Sequence, residues 1–278
     1  MNQFAGIGFR KDFAAEFLER NILQPSFIEV APENWMGLGG YWKKIFKKVT
    51  EQYPLTLHGL SLSIGSNDEP DWDFLHLLKA FIKEYDVQVY SEHLSFSKCD
   101  NAHLYELLPI PFREEAVHHI SRKINRVQDF LERPLVLEIV SYYTPIAAEM
   151  QEFEFINAIV NESGCQLLLD VNNIYVNGFN HKYDPYGFID KLPLDKVAYI
   201  HMAGHEQVAD DLIIDTHSRP IINPVFDLFE YSLQQLPHRV PVLLERDFNI
   251  PELPELQIEL EHLENLCKKH WKHETAAA

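Results

Sequence analysis

The sequence predicts an α/β protein that folds as a single closed (β/α)8 barrel of the TIM type, with a metal site at the C-terminal ends of the strands. Eight short apolar runs follow one another, segments with helical periodicity lie between them, and His, Asp and Glu recur where the runs end. The chain has 278 residues, and barrels of about 250 residues fold as one domain. We therefore predict one barrel domain over residues 1–272, followed by a disordered tail over residues 273–278.

The eight apolar runs have the length and composition of buried strands. They are apolar on both faces, which is typical of a parallel sheet that helices cover on its outer side. The predicted strands cover residues 6–9, 27–31, 55–59, 87–93, 135–140, 166–171, 197–202 and 241–246.

Seven segments between or after these runs carry apolar residues at the i, i+3, i+4 and i+7 spacing that buries one face of a helix. The first begins at residue 13, and the others cover residues 42–49, 74–82, 117–131, 153–160, 226–233 and 256–266. A doubly wound open sheet would more often carry a Gly-rich phosphate loop after its first strand, and the GIGFR segment is not such a loop. The pattern therefore favours the closed barrel.

Composition and charge exclude several classes of partner. The formal net charge is −18, with 42 acidic and 24 basic residues, which disfavours binding to nucleic acid or to anionic membranes. No run approaches the roughly 18 apolar residues of a membrane span. The three cysteines form no CxxC pair and are expected to be free thiols. We predict a cytoplasmic protein without nucleic-acid or membrane partners.

Metal-binding side chains close nearly every predicted strand. The carboxyl ends of all barrel strands meet at one mouth, so residues far apart in sequence converge there. Carboxylates inside apolar runs are costly to bury without a partner. Few Arg or Lys residues lie near these ends, and metal ions are the simplest source of positive charge. The set comprises Glu29, Glu33, Asn34, His58, Glu92, His93, Glu138, Asp170, His201 and Glu245.

The segments that follow the strands add further polar groups. Asn173 comes three residues after the sixth-strand aspartate, His205 follows the seventh strand, and Asp247 follows the eighth. Asp215 and His217 have the i, i+2 spacing that places both side chains on one side of an extended segment. Barrel helices face away from the mouth, so we expect surface or structural roles for the helix histidines. These are His76, His118, His119, His262, His270 and His273.

The residue types limit the choice of metal. Imidazole and carboxylate without thiolate suit iron, zinc or manganese, and residue chemistry alone does not separate the three. The set exceeds the four to six ligands that one such ion takes, which indicates more than one ion. A carboxylate such as Glu138 could bridge neighbouring ions.

Eight motifs occur in a fixed order between Gly6 and about Glu259. They are GIGFR, FIEVAPENW, LTLHGLSLSIGS, YSEHLSF, LLLDVNNIYVN, IHMAGH, IDTHSRP and LLERDFNIP. In these motifs the chain resembles the multinuclear non-haem iron-dependent oxidative enzymes, a family that includes the iron enzyme of methanobactin biosynthesis.

The resemblance implies two or three iron ions (Fe2+/Fe3+) in the barrel, with zinc or manganese as substitutes. It also implies dioxygen-dependent modification of a ribosomally made peptide, often at cysteine, with a partner protein that presents the leader peptide. The implied metal ligands are His58, His93, Glu138, Asp170, Asn173, His201, Asp215, His217 and Glu245.

The resemblance also suggests how these ligands divide among the ions. His58 and His93 would share one ion with a bridging Glu138. Asp170, His201 and Glu245 would hold the next ion, with Asn173, Asp215 and His217 around a further one. His205 and Asp247 would be catalytic groups or would support the ligands.

One segment departs from the pattern expected for the family. Ile139 and Tyr142 follow the fifth-strand glutamate where the family is expected to carry Asn and a small polar residue. We expect this departure to alter the pocket and therefore the substrate.

Two other functions remain compatible with the residues. One is a zinc- or manganese-dependent hydrolase or isomerase, as in barrels of the sugar-isomerase and endonuclease type. The other is a peptide-binding barrel whose metals are structural.

Overall fold

The computed structural model describes residues 3–100, 102–144 and 147–271. The tail predicted at residues 273–278 lies outside this range, as does His273. In chain order, the strands of the described residues are β1 (Ala5–Gly8), β2 (Ile28–Val30), β3 (Leu55–His58), β4 (Val89–His93), β5 (Phe96–Cys99), β6 (Ala102–Leu108), β7 (Val136–Glu138), β8 (Gln166–Asp170), β9 (Val197–Met202), β10 (His205–Ala209), β11 (Leu212–Asp215) and β12 (Val242–Leu244).

Eight of these strands form a closed parallel barrel, as the sequence predicts. Their order around the barrel is β1-β12-β9-β8-β7-β4-β3-β2. Every one of the eight coincides with a predicted apolar run, because strands covered on both sides by protein must be apolar on both faces. Closure brings the first and last strands together and leaves the barrel without an open edge.

The helices cover the outside of the barrel. They are α1 (Ala14–Arg20), α2 (Gly40–Thr50), α3 (Trp72–Glu84), α4 (Glu114–Leu131), α5 (Glu152–Ser163), α6 (Val171–His181), α7 (Pro185–Ile189), α8 (Asn223–Gln235) and α9 (Leu253–Trp271). The apolar stripes of the predicted helices pack inward, except that Leu77 of α3 is exposed. In α4, for example, Val117, Ile120, Ile124, Val127 and Leu131 are all buried.

Helix α6 directly follows Asp170 and is not among the helices predicted from the sequence. The Asp170 side chain accepts a hydrogen bond from the Asn173 amide and caps the helix directly at the end of β8. Asn has a low helix propensity, which hides this helix in the sequence. Its Asn side chains hold neighbouring segments instead: the buried Asn177 bonds Val140 and Tyr142, and the half-buried Asn180 bonds Ile213.

Two antiparallel hairpins stand outside the barrel and were not predicted. Strands β5 and β6 pair directly after β4, and β10 pairs with β11 directly after β9. The second hairpin sets His205 opposite Asp215. It therefore carries the Asp215–His217 segment back to the mouth. Within the described residues, no helix combines the length and the apolar character that crossing a membrane requires.

Gly204 allows this second hairpin to turn back closely. A Cβ atom at this position would overlap the backbone carbonyl of Arg219. We expect Gly204→Ala to destabilise the fold by about 1–3 kcal/mol, as overpacking typically does, and to shift Asp215 and His217. Thermal unfolding and bound-metal content measure the two effects. Gly39→Ala is the control, since open space surrounds Gly39; equal behaviour of both variants would contradict the prediction.

Candidate metal centre

The carboxyl ends of the barrel strands surround a cleft of about 770 Å³. The parallel register sets widely separated residues opposite one another: His93 faces Glu138 between β4 and β7, and Asp170 faces His201 between β8 and β9. The polar residues that line the cleft are Arg10, Glu29, His58, His93, Glu138, Ser141, Asn173, Asp215, Thr216, His217, Ser218, Glu245, Asp247 and Asn249.

The first group of possible metal ligands consists of His58, His93 and Glu138. Nε2 of His58 lies 2.9 Å from Oε2 of Glu138 and 3.1 Å from Nε2 of His93. Nε2 of His93 lies 3.3 Å from the same carboxylate oxygen. Donors that sit about 2.0–2.2 Å from one ion are about 3 Å apart when they are neighbours in its coordination shell. The three atoms thus have the spacing of ligands to one ion.

The second group consists of Glu138, Asp170 and His201, which offer one atom each within 4.8 Å of one another. Nδ1 of His201 lies 4.0 Å from Oδ2 of Asp170 and 2.9 Å from Oε2 of Glu245. All these side chains are buried, and the His201 side chain is 0% exposed.

The third group consists of Asp170, His217 and Glu245, again within 4.8 Å. Nδ1 of His217 lies 3.3 Å from Oε2 of Glu245, and its Nε2 lies 2.7 Å from Oδ1 of Asp215. Asp215 therefore belongs beside this group, as its spacing from His217 suggests.

The three groups overlap. Glu138 belongs to the first and second, and Asp170 belongs to the second and third. A carboxylate has two oxygens and can bind one ion with each, so shared carboxylates are typical of sites that hold adjacent ions. Glu138 thus lies where the sequence analysis places a bridging ligand. Together the groups indicate a multinuclear metal site.

Several atoms that could bind a metal, in these groups and in the neighbouring Asn173, are buried without a hydrogen-bond partner among the described residues. Buried polar atoms are normally hydrogen-bonded, and such a cluster of exceptions fits metal ligation. The atoms are Nδ1 of His93, Oε2 of Glu138, Oδ2 of Asp170, Oδ1 of Asn173, both ring nitrogens of His201 and Nε2 of His217. Both His201 nitrogens lie 2.9 Å from a carboxylate oxygen, yet neither N–H points at one.

The electrostatics of the cluster also favour bound cations. Burial, reinforced by the neighbouring Glu138, raises the pKa of Asp170 well above its usual range. Burial and the adjacent His58 lower the pKa of His93 to about 4. Burial alone would raise the pKa of Glu138. The neighbouring His93 and His58 outweigh burial and lower that pKa to about 2. A cation between Asp170 and Glu138 would remove the penalty on the Asp170 charge.

Arg10 supplies positive charge that the sequence analysis did not anticipate. Its guanidinium pairs with Asp247 and lies 3.7 Å from Oε1 of Glu245. Asp247 also accepts a hydrogen bond from Nδ1 of His217 at 3.2 Å. The carboxyl groups at the mouth still outnumber this cation. They are Glu29, Glu138, Asp170, Asp215, Glu245 and Asp247.

His205 and Asn173 lie beside the three groups. Nδ1 of His205 is 2.7 Å from Oδ1 of Asn172, whose amide donates to Asp215 at 2.7 Å. His205 therefore supports Asp215 through Asn172, and it is not among the residues that line the cleft. Asn173 donates to Oε1 of Glu138 at 2.8 Å, so it orients the shared carboxylate and leaves its own oxygen free.

Glu92, Glu33 and Asn34 do not join the cluster. Adjacent strand residues point to opposite faces, so Glu92 points away from the cleft when His93 points into it. Glu92 accepts hydrogen bonds from Tyr90 and from the Leu62 amide. Burial and the nearby Glu33 raise the pKa of Glu92 to about 8. The helix histidines of α3, α4 and α9 do not line the cleft either.

A chain of buried polar contacts under the cleft links His58 to His201. Nδ1 of His58 lies 2.8 Å from Oγ of Ser91, which lies 2.5 Å from the Tyr199 hydroxyl. Tyr199 donates to Oε2 of Glu29 at 2.7 Å, and Oε1 of Glu29 lies 2.9 Å from Nε2 of His201. Ser91 and Glu29 thus lie beside Nδ1 of His58 and Nε2 of His201, the ring nitrogens that face away from the first group and from Glu245.

The sequence analysis does not include Tyr199 or Ser91, and it places Glu29 in the strand-end set but not among the ligands that the resemblance implies. Alternate residues of a strand share a face. Ser91 precedes His93 by two positions and Tyr199 precedes His201 by two, so the signal was present in the sequence.

The Tyr199→Phe variant tests this support. The phenyl ring keeps the packing, but Glu29 loses a hydrogen bond that orients it toward His201. We expect metal affinity to fall about 10–100-fold, as is typical when a group behind a ligand is removed. A competition titration with a chelator measures it. Tyr90→Phe is the matched control, because Tyr90 is an equally buried tyrosine that donates to Glu92 outside the cleft. Equal affinities in the two variants would refute the role of Tyr199.

Ile139 and Tyr142, which depart from the expected family pattern, do not line the cleft themselves. Ile139 is buried in the core. Tyr142 lines a second cavity instead.

Comparisons with known proteins agree with this geometry. The model of a family described as RiPP precursor modification enzyme MbnB/TglH/ChrH matches residues 4–268. A UPF0276 protein of Shewanella sediminis is 48% identical over 259 residues, which cover 93% of this chain and 92% of that one. A UPF0276 protein of Acinetobacter baylyi is 48% identical over 272 residues, which cover 98% and 94%.

Solved structures share the fold at low sequence identity. An L-ribulose 3-epimerase gives a TM-score of 0.64 at 13% identity, covering 100% of this chain and 99% of that one. Endonuclease IV from Thermus thermophilus gives 0.61 at 15% identity, covering 94% and 98%. At these identities the likeness is one of fold alone.

Proposed function

The chain belongs to the MbnB/TglH/ChrH family of RiPP precursor modification enzymes, and on this premise we propose that it is a non-haem iron-dependent oxidative enzyme. Its substrate is a ribosomally made peptide, which it modifies at cysteine with dioxygen. The observation that carries the proposal is the overlap of three buried His/Asp/Glu groups through Glu138 and Asp170. Two or three adjacent ions are the simplest occupants of such an arrangement, with zinc or manganese as possible substitutes for iron.

In this proposal the residues of the cleft either hold the ions or orient the residues that do. His58, His93 and Glu138 would hold one ion, Glu138, Asp170 and His201 the next, and Asp170, His217 and Glu245 a third, with Asp215 and Asn173 beside them. Bound iron supplies one-electron chemistry with dioxygen and lowers the pKa of a substrate thiol. The chain of Ser91, Tyr199 and Glu29 fixes the histidine rings. Asp247 holds the proton of His217 Nδ1, and His205 supports the third group through Asn172.

The rim of the cleft suits a peptide. Leu60, Leu107 and Phe248 line it with exposed apolar surface, and a cleft of about 770 Å³ lies within the range of ordinary substrate pockets, about 300–1,000 Å³. Arg10 offers a guanidinium to a backbone carbonyl or an anionic substrate group. A partner protein that presents the leader peptide would dock around this rim.

The test is co-expression with a small cysteine-containing peptide encoded beside the gene, followed by mass spectrometry. We expect a mass change at cysteine that requires both iron and dioxygen, and its absence when the cysteine of the peptide is serine. Purified protein should hold more than one iron per chain. It should change its optical or paramagnetic spectrum when reduced and then exposed to oxygen.

The same experiment separates the rival functions. A product that forms equally without oxygen, on a sugar or a phosphodiester, would favour a zinc or manganese hydrolase or isomerase. Stoichiometric zinc without a redox response in fresh protein would count against iron chemistry. A bound but unmodified peptide would favour a barrel whose metals are structural.

A further inference from the structure

A second cavity of about 480 Å³ lies behind one wall of the metal cleft. The wall is the segment that follows β7: Val140 and Ser141 line the cleft, and Tyr142 lines the second cavity. Asn177 of α6 fixes this wall, because its side chain bonds the Val140 carbonyl and the Tyr142 amide, each at 3.0 Å. The two cavities therefore share a wall that α6 holds in place.

The second cavity holds polar groups that the protein leaves poorly satisfied. The Tyr142 hydroxyl donates to Oε2 of Glu152 over a long 3.3 Å. Tyr183 lines the same cavity, and its buried hydroxyl has no hydrogen-bond partner among the described residues. Burial raises the pKa of Glu152 to about 8, and the hydrogen bond from Tyr142 offsets this only in part.

Aromatic side chains form part of the remaining lining, which also includes Asp184 and Lys191. Phe112, Phe153 and Phe188 line the cavity together with the two tyrosines. Aromatic faces attract ammonium and guanidinium groups. The chain shows this attraction at the rim, where Nζ of the exposed Lys191 lies 4.6 Å from the centre of the Phe153 ring.

We propose that this cavity binds an organic cation, an ammonium or guanidinium group, which the carboxylate of Glu152 pairs with inside an aromatic enclosure. The Tyr183 hydroxyl accepts a hydrogen bond from the same group. Glu152 and Asp184 are the acidic residues of the lining, and His181 and Lys191 are its basic ones. A bound cation favours the ionised form of Glu152, whose pKa burial raises. The source of the cation is a lysine or arginine side chain of the peptide whose cysteine lies in the metal cleft, and this assignment of source rests on the proposed function.

The chemistry of the cavity is tested by direct binding. The probe is Nα-acetyl-lysine N-methylamide, titrated into metal-loaded protein at about pH 8.5, above the pKa of Glu152 and below that of the probe's ammonium group, and followed by ligand-observed NMR. Nα-acetyl-norleucine N-methylamide is the neutral comparison. We expect the lysine probe to bind at least tenfold more tightly than the norleucine probe, and Glu152→Gln to abolish that difference. Glu115→Gln, on the exposed face of α4, is the matched control and should preserve it.

Two further measurements test whether the cation comes from the peptide and whether the metal site stays intact in the variant. A precursor peptide should lose affinity at least tenfold on Glu152→Gln, and by as much when its lysine or arginine is replaced by norleucine. Binding of n-butylammonium with no such effect on the peptide would overturn the peptide as source. Equal binding of the lysine and norleucine probes to the wild type would overturn the cation site itself. The iron content of Glu152→Gln should equal that of the wild type, so failure here is distinct from failure of the metal site.

Discussion

The Glu138→Gln variant is expected to lose most of its bound metal, although the side chain hardly changes in shape. Glutamine fills the same space, but it carries no charge and places an amide NH2 near the ring nitrogens of His58 and His93. Because Glu138 belongs to two of the three groups, its loss weakens two neighbouring ions together. We expect at most one tightly bound ion per chain. Peptide modification should fall by more than about 100-fold, the upper range for residues that only support a ligand.

Metal analysis after gel filtration and a timed peptide assay measure these two effects. Glu92→Gln is the matched control, since Glu92 is a buried glutamate beside His93 that faces away from the cleft. The control should keep its metal. A Glu138→Gln protein with the full metal content would show that this carboxylate bridges nothing.

The His201→Ala variant should lose metal and activity while keeping the barrel. His201 is fully buried, with Glu29, Glu245 and Asp170 around its ring. Its removal takes one candidate ligand from the second group. The carboxylates of Glu29, Asp170 and Glu245 then lose the imidazole that lies between them. The apolar contacts of the strands and helices are untouched, so the fold should persist.

Circular dichroism and thermal unfolding report on the fold of this variant, and metal analysis reports on the site. His262→Ala, on the exposed side of α9, should match the wild type in both. Global unfolding of His201→Ala at room temperature would instead assign the metal a structural role.

The sequence predicts the barrel and the convergence of its ligands, because both follow from simple rules of position. Buried parallel strands must be apolar on both faces, and their carboxyl ends must meet. His58, His93, Glu138, Asp170, His201 and Glu245 could therefore be assigned to one mouth without knowledge of any contact.

Features that depend on side-chain direction and on long connections were harder to predict. Glu92 and His93 both lie at the end of β4. Because adjacent strand residues point to opposite faces, only one of them can face the cleft, and the sequence does not show which. Helix α6 is rich in Asn, and its cap is a residue that also belongs to the metal groups. Strands β10 and β11 have only five and four residues, too few to indicate from the sequence that they pair and set His205 opposite Asp215.

Arg10 illustrates the same limit at the level of charge. It lies two residues beyond the end of β1, so the search for polar residues at strand ends does not select it. Its long side chain nevertheless brings the guanidinium to Asp247 and Glu245. Arg10 therefore compensates part of the negative charge at the mouth, and the carboxyl groups there still outnumber it.

Anomalous diffraction at the iron absorption edge tests the central claim most directly. In crystals of protein prepared with iron and without oxygen, we expect at least two peaks in the cleft, about 3.5–4 Å apart. One should lie within bonding distance of His58, His93 and Oε2 of Glu138, and its neighbour should lie beside Asp170 and His201. A cleft without iron peaks, in which these side chains contact only water, one another and Arg10, would contradict the account.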